Sequence, residues 1–584
     1  MSTAPDAPPD GAPGGPRITG IRTAGTRALL VELGSLADVV ALHAQLQAHP
    51  LPGQIDALAA AGTVLVRFRG RRETVAAVPL LESLDFSHAE LPDARTVTIE
   101  TVYDGEDLAE VARLTGRSEE AVVQAHTGTP WTGGFGGFAP GFTYLVGGDP
   151  ALNVPRRDTP RKAVPAGSVA LAGNYSAVYP RESPGGWQLI GHTNARLWDL
   201  SRDSPALIRP GDAVIFTAVR ELVTIASSQA EDQIDVTGAQ GFPETTATEP
   251  DRSHLEVNAP GLQSLIQDLG RPGYADLGVS LAGAADTRSA RQANRLVGNP
   301  PDAAVIENLF GGLELTAHGD TVLALSGAEA PAAVVSPGGG RDRPAPLNAP
   351  FALLDGETLS LGTPYRGVRC YLAVRGGVAV DPVLGSRSTD TMSGVGPAPL
   401  NAGTLLPVGN SGDLPGVVPV GSAEPSSLPD GTAAGALGDG GSPTLLRITA
   451  GPRQDWFGPD AAAALTGHTW LTTNESNRIG VRLAADPADT DAAPLARVRD
   501  GELPSEGVLA GSLQVPPSGL PVLFLADHPV TGGYPVIAVV VPQDLPVAAQ
   551  LPPGYPVRFV FSDPDTLAPL SAEETAALFT EGTP

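Results

Sequence analysis

The sequence predicts a mainly β protein with α+β character, in which compact β-barrels in tandem follow a small ferredoxin-like α/β domain. Three observations carry this. At 584 residues the chain exceeds what one hydrophobic core holds, so several domains are expected. Its 70 Gly and 58 Pro interrupt helices and favour turns, while 42% hydrophobic residues suffice for packed cores. The apolar period also changes along the chain, from alternating strand and helix signals to short strands broken by Gly and Pro.

Residues 1–16 read as a disordered tail, because no basic region precedes an apolar core there. In 17–92, "RALLVEL" and "GTVLVRFRG" have strand character, whereas "LADVVALHAQLQAH" and "RETVAAVPLLESL" have helical spacing, which gives the small α/β domain. From "TVTIETVY" the pattern becomes barrel-like over 93–225, after helices near 108–114 and 119–126. Residues 226–253 are polar and aperiodic and read as a linker. A second β-rich module follows, divided by the low-complexity stretch 417–443 into a first half (254–440) and a second half (441–575). "PAGSVALAG" with "SPGGWQLIG" resembles "LAGSLQVPP" with "VTGGYPVIA", so the two barrels are expected to be duplicates.

The lone Cys370 excludes an internal disulfide and suits a reducing, cytoplasmic setting; its apolar surroundings predict a buried thiol. A net charge of -27 argues against nucleic acid, which requires a basic face. No apolar run is long enough to span a membrane. Lys162 is the only lysine, so arginine must do any anion binding. Walker A, H-E-x-x-H and G-x-S-x-G signatures are absent.

The block from Trp131 to Trp198 is dense in candidate chemistry. In "GGFGGFAPGFTYL", glycine allows close backbone approach while Phe138, Phe142 and Tyr144 exclude water, either around a ligand or simply in a barrel core. "NVPRRDTPRKAVPAGSV" gathers Arg156, Arg157, Arg161 and Lys162 between prolines, as an anion site or a solvated loop. In "YPRESPGGWQLIGHT", Gly185 and Gly186 offer backbone N–H groups beside Ser183. His126 and His192 are the nearby histidines.

These blocks resemble allophanate hydrolase subunit 1, the family of the 5-oxoprolinase B subunit and the Kip-type kinase inhibitors. "PGLQSLIQDLGRPGYADLGVSLAGAAD", "NPPDAAVIENLFGG", "VRGGVAVDPVLGSRSTD", "ESNRIGVRL" and "HPVTGGYPVIA" resemble allophanate hydrolase subunit 2, the family of the 5-oxoprolinase C subunit. The resemblance implies cyclophilin-like barrels, a fusion of two subunits, and ATP-dependent opening of 5-oxoproline to glutamate with a separate LamB/YcsF-type third subunit. The same domains resemble the carboxyltransferase part of urea carboxylase, which needs biotin. Met1 and Met392, the only methionines, do not flank a lysine, so no Met-Lys-Met biotinylation site is present. A histidine-kinase inhibitor is the non-enzymatic alternative.

Such an enzyme must position a substrate carboxylate and nucleotide phosphates, with Mg2+ carried by ATP. The resemblance implies catalytic roles for His126, Arg161 and Arg387. Phe138, Pro140, Gly141, Phe142, Arg157, Ser183, Gly185, Gly186, Trp187, Asp268, Arg271 and Ser388 would bind substrate or ATP. A metal site in the protein and the oligomeric state stay open. His192 and Asn194 replace the usual Arg and Pro of "IGRTP", Asn477 replaces an acid in "SDRMG", and "GNYSAVYP" stands for "GQTGIYP".

Overall fold

The computed structural model describes residues 17–89, 94–157, 159–222, 239–240, 253–339, 342–418, 428, 443–490, 493–499, 501 and 503–580. The expected tail 1–16, most of the linker 226–253 and most of the stretch 417–443 lie outside the described residues.

Residues 17–89 form a four-stranded antiparallel sheet in the order Ile18–Thr23, Ala28–Leu33, Thr63–Phe68, Gln54–Ala59. The spatial arrangement is that of a ferredoxin-like sheet whose last strand stands first in the chain, so the elements run strand-strand-helix-strand-strand-helix. Helix Leu36–Ala48 starts where Ser35 Oγ accepts the Asp38 N–H at 3.2 Å, a side-chain N-cap. The second helix is Arg71–Glu82. "ALLV" at 28–31 lacks the usual polar alternation because both faces of the sheet are buried. Leu29, Val31, Val64 and Val66 pack under the helices with Val39, Leu42 and Leu81. On the reverse face, Ala28, Leu30, Leu58 and Leu65 cluster with Val530, Ala275 and Leu509 from the second module.

The first barrel sheet runs Gln188–His192, Ser168–Ala172, Tyr175–Val178, Ala139–Val146, Trp131–Gly137, Ala213–Ala218, Thr96–Thr101, and a Val102–His192 bridge joins its ends. The last barrel closes in the order Thr444–Ala450, Val536–Val540, Ser512–Gln514, Val522–Phe524, Gly480–Ala485, Trp470–Thr472, Pro556–Phe561. The two orders are the same circuit. Each has one parallel pair, between its first and last strands in sequence apart from the partner hairpins. Trp131 Nε1 donates to the His126 carbonyl at 3.0 Å, and Trp470 Nε1 to the Leu465 carbonyl at 3.0 Å. The repeated Gly-Ser has a physical reason: Gly167 and Gly511 both adopt left-handed backbone, with φ of 81° and 96°, before Ser168 and Ser512 enter equivalent strands. Thus the short sequence repeat corresponds to a repeated topology.

Between the barrels, residues 253–418 form two antiparallel sheets of six and five strands. One core joins them, including Leu255, Val257, Ile306, Leu325, Leu359 and Leu372. Cys370 lies in it, 2% exposed, with its thiol pushed up to about 12 by burial, which leaves it protonated and unreactive.

Candidate functional site

The glycine-aromatic block is a hairpin of Trp131–Gly137 and Ala139–Val146 turning at Phe138, whose φ is 61°. Gly136 and Gly137 are there because the second module comes close. A Cβ on Gly136 would lie 2.2 Å from the Asp276 carbonyl oxygen, and one on Gly137 would lie 2.4 Å from Thr531 Oγ1. One on Gly278 would meet the Ala139 carbonyl oxygen at 2.4 Å. The Phe138 N–H donates to Thr531 Oγ1 at 3.3 Å. The close backbone approach expected for a ligand is therefore made to the second module. Of six non-glycine residues with positive φ among those described, Phe138, Ala282, Phe310 and Leu384 fall in family-like blocks of the two modules. Such strain persists only where the surroundings impose it.

Behind this hairpin, Phe142 contacts Phe138, Tyr179 and Trp187 at ring separations of 5.4, 5.4 and 5.6 Å. Phe142 and Tyr179 are 2% exposed, and Pro140 is buried beside them. Gly141 has φ of 76° and lies against the Leu197 carbonyl. A Cβ on Gly185 would strike Tyr179 Oη, and the Gly186 carbonyl accepts the Arg157 N–H at 2.8 Å. Ser183 is buried and its Oγ lies 3.4 Å from the Arg181 carbonyl oxygen. Trp187, also buried, belongs to the same aromatic cluster. These residues come together, but as a packed core with an internal turn rather than an open ligand wall.

Arg157 and Arg161 converge on a carboxylate of the chain itself. Arg157 Nη1 reaches Asp107 Oδ1 at 2.5 Å, and Arg161 Nη2 reaches it at 2.9 Å, with Glu106 at 3.0 Å. Asp107 Oδ2 also accepts the Leu189 N–H at 2.7 Å. Burial alone would raise this carboxyl, but the Arg161 and Leu189 hydrogen bonds hold it below the usual range. The two expected anion clamps are thus already engaged within the chain, and any added anion would compete with Asp107. Lys162, the next residue, is exposed.

His126 also departs from expectation. It is fully buried, with Nδ1 at 2.7 Å from Tyr103 Oη and Nε2 at 2.9 Å from Ser176 Oγ. Its ring lies 4.3 Å from that of Phe216, and burial pulls its pKa down to about 3. A neutral, enclosed imidazole packs the barrel and has no route to a solvent-open proton transfer. His192, by contrast, is exposed and pairs with Asp104 at 2.7 Å.

In the second module, Asp268, Arg271, Arg387 and Ser388 do meet. Asp268 accepts from Ser386 Oγ and Ser388 Oγ at 2.6 and 2.5 Å, and from the Gly270 and Arg387 N–H groups at 2.8 and 2.6 Å. Arg271, 1% exposed, donates through Nη2 to the Ser388 carbonyl, and Arg387 Nε donates to the Val380 carbonyl at 2.6 Å. Together they fix the loop 386–396. The first barrel reaches the same loop, because Arg181 Nη2 donates to the Met392 carbonyl. The last barrel reaches it through Asp527, which accepts from the Thr391 N–H and Oγ1 at 2.9 and 2.6 Å.

Sequence reasoning assigns no role to Arg478, Asp527 and Glu307, which underlie this loop, or to Asp390 within it. Arg478 Nε and Nη2 bind the two Asp527 oxygens at 2.9 and 2.8 Å, Nη1 binds Glu307 at 2.5 Å, and Nη2 also donates to the Gly283 carbonyl at 2.6 Å. Asp390 accepts from Ser280 Oγ at 2.8 Å and is raised by burial and by Asp527. All four lie within or beside the quoted blocks, which was the available signal. Among the described residues, no group of three or more His, Cys, Asp and Glu side chains is placed to hold a metal, and no helix is long and apolar enough to cross a membrane.

The chain is a carboxyltransferase-domain protein: residues 19–208 match the carboxyltransferase domain, subdomain C and D, and residues 277–561 match subdomain A and B. More particularly, the chain belongs to the family of the B and C subunits of 5-oxoprolinase, whose two parts it joins in one polypeptide. It is 34% identical over 307 residues to the 5-oxoprolinase C subunit of Escherichia coli K12, covering 52% of this chain and 90% of that one. The B subunit of Escherichia coli O157:H7 is 41% identical over 178 residues, covering 29% and 81%. Urea amidolyase of Lachancea kluyveri is 32% identical over 347 residues, covering 56% of this chain but 18% of its own. The crystal structure of TTHA0988 superposes with a TM-score of 0.75 at 34% identity, covering 91% of this chain and 99% of that one.

Proposed function

We propose that the chain is the B and C component of an ATP-dependent 5-oxoprolinase, which opens 5-oxo-L-proline to L-glutamate with a separate LamB/YcsF-type subunit. The observation that carries this is the pairing of the similarities: one stretch matches a 5-oxoprolinase B subunit over 81% of its length and the next matches a C subunit over 90%. A lactam amide resists hydrolysis, and phosphorylation of its oxygen by ATP converts that oxygen into a leaving group. Mg2+ arrives with the nucleotide. Loop 386–396, touched by both barrels, is the favoured place for this chemistry. Arg387, half-buried with Nε anchored to Val380, is the favoured anion ligand there. The test mixes the purified chain with the third subunit, ATP, Mg2+ and 5-oxoproline and measures glutamate and ADP; no product would refute the reading.

A second reading follows from the similarity to urea amidolyase: a carboxyltransferase accepting a carboxyl group from biotin carried on another chain. Transfer from carboxybiotin to urea, without ATP consumption by this chain, would favour it.

A further inference from the structure

Where the small α/β domain, the middle module and the last barrel meet, an enclosed cavity is lined by Asp56 and Arg67 from the first, Arg271, Val279 and Leu281 from the second, and Val508, His528 and Val530 from the third. It leaves about 20 Å3 for the centre of a water-sized body, above the ~10–15 Å3 that one such body needs. Its walls are mostly apolar, so the polar groups facing it must be there for a reason.

Arg271 is the most telling of these. It is 1% exposed, and its Nη2 is used by the Ser388 carbonyl, but its Nε and Nη1 are buried with no hydrogen-bond partner among the described residues. Buried guanidinium N–H groups are normally satisfied, because leaving a charged donor unpaired costs more than any neutral one. The carboxylates closest to Arg271 are committed elsewhere. Asp268 takes four donors from its own loop, Asp527 holds Arg478 and Thr391, and Asp390 holds Ser280 and the Met392 and Ser393 N–H groups.

The wall charges then decide what the cavity prefers. Arg67 and Arg271 supply two fixed positive charges. His528 is neutral, since burial pulls it down to about 4 while its Nδ1 lies 2.7 Å from the Pro529 carbonyl oxygen. Asp56 is the one carboxyl on the wall, and burial raises it despite Arg67. Asp268, Asp390 and Asp527 attract Arg271 from a distance, but none of them meets its Nε or Nη1, so these donors lack a direct acceptor in a low-dielectric space, where attraction to a negative ion is much stronger than in water.

We propose that this cavity binds a single small monovalent anion of chloride size, held between Arg271 and Arg67, which fastens the small α/β domain to the other two modules. The ion is expected to be one that sheds its water readily, because the remaining lining of Val279, Leu281, Val508 and Val530 offers no hydrogen bonds.

The test uses the full chain. Crystals soaked in bromide and recorded at the bromine absorption edge should show an anomalous peak in this cavity beside Arg271. A peak only at the surface, or a cavity holding water with no bromide, overturns the proposal. In solution, the thermal midpoint should rise by a few degrees and saturate as sodium chloride replaces sodium gluconate at constant ionic strength. Val508→Phe, which fills the cavity while keeping its wall apolar, should abolish that rise. Equal midpoints of the unmodified protein in the two salts would also overturn it.

Discussion

Arg478 and Asp527 face each other through two hydrogen bonds of 2.9 and 2.8 Å with both side chains withdrawn from solvent. Because both sit in the last barrel while Arg478 also binds Glu307 and the Gly283 carbonyl of the middle module, the pair welds two modules beneath loop 386–396. Removing one partner of a buried pair strands a charge. Arg478→Ala is therefore expected to cost about 3–5 kcal/mol in denaturant unfolding. Arg478→Met combined with Asp527→Leu should cost less than the single change.

The seam around the glycine-aromatic hairpin can be probed in the same way. Gly136→Ala places a Cβ against the Asp276 carbonyl, a backbone atom that cannot rotate aside, so a loss of about 1–3 kcal/mol is expected. Gly62→Ala, whose Cβ meets nothing within 4 Å, is the control and should change stability by no more than about 0.5 kcal/mol. A comparison of denaturation midpoints decides.

Asp107 links stability to pH. Its folded pKa is lower than the ordinary 3.8, so its contribution is fully present above that value and is lost as pH falls through the folded pKa. Asp107→Asn should destabilise the protein at neutral pH and flatten the fall in stability below about pH 4. Thermal midpoints recorded across roughly pH 2.5–7, which brackets the titration of a carboxylate, measure both effects.

Two neighbouring cations separate cleanly. Lys162→Arg is expected to leave turnover near that of the unmodified chain, since Lys162 is exposed. Arg161→Lys should reduce it several-fold, because Arg161 reaches both Asp107 and Glu106 through Nη2 at the far end of its guanidinium, and the compact ammonium of a lysine does not reproduce that position. Steady-state glutamate production with the third subunit measures both.

His126→Phe should weaken the first barrel by about 1–3 kcal/mol by stranding Tyr103 and Ser176. It should leave the shape of the pH–rate profile above about pH 5 unchanged, as burial pulls the His126 imidazole well below that range, to about 3. A lost limb in that profile would restore a proton-transfer role.

Local patterns made the strands of the small domain and the repeated barrel legible, because period and turn chemistry act over a few residues. The edge strands Ile18–Thr23 and Gln54–Ala59 escaped, since "ITGIRT" and "QIDALA" alternate weakly and gain their place from pairing across the sheet. Among site residues, Asp268 and Ser388 were found together because their blocks resemble a family. The Arg157 and Arg161 partner was not, because Asp107 lies far earlier in the chain and nothing local marks it. The glycines of 133–141 signalled close approach correctly. Sequence alone does not say whether the approaching backbone or ligand belongs to the same chain.

The small α/β sheet, with helices on one face and Val530, Leu509 and Ala275 on the other, bears on assembly. As separate polypeptides, the halves must find each other at cellular concentration, and the reverse face of that sheet is wet until they do. A covalent connection replaces that search with an effective concentration of order millimolar, independent of dilution. Natural selection can then let individual seam contacts drift toward weaker pairs without the halves coming apart.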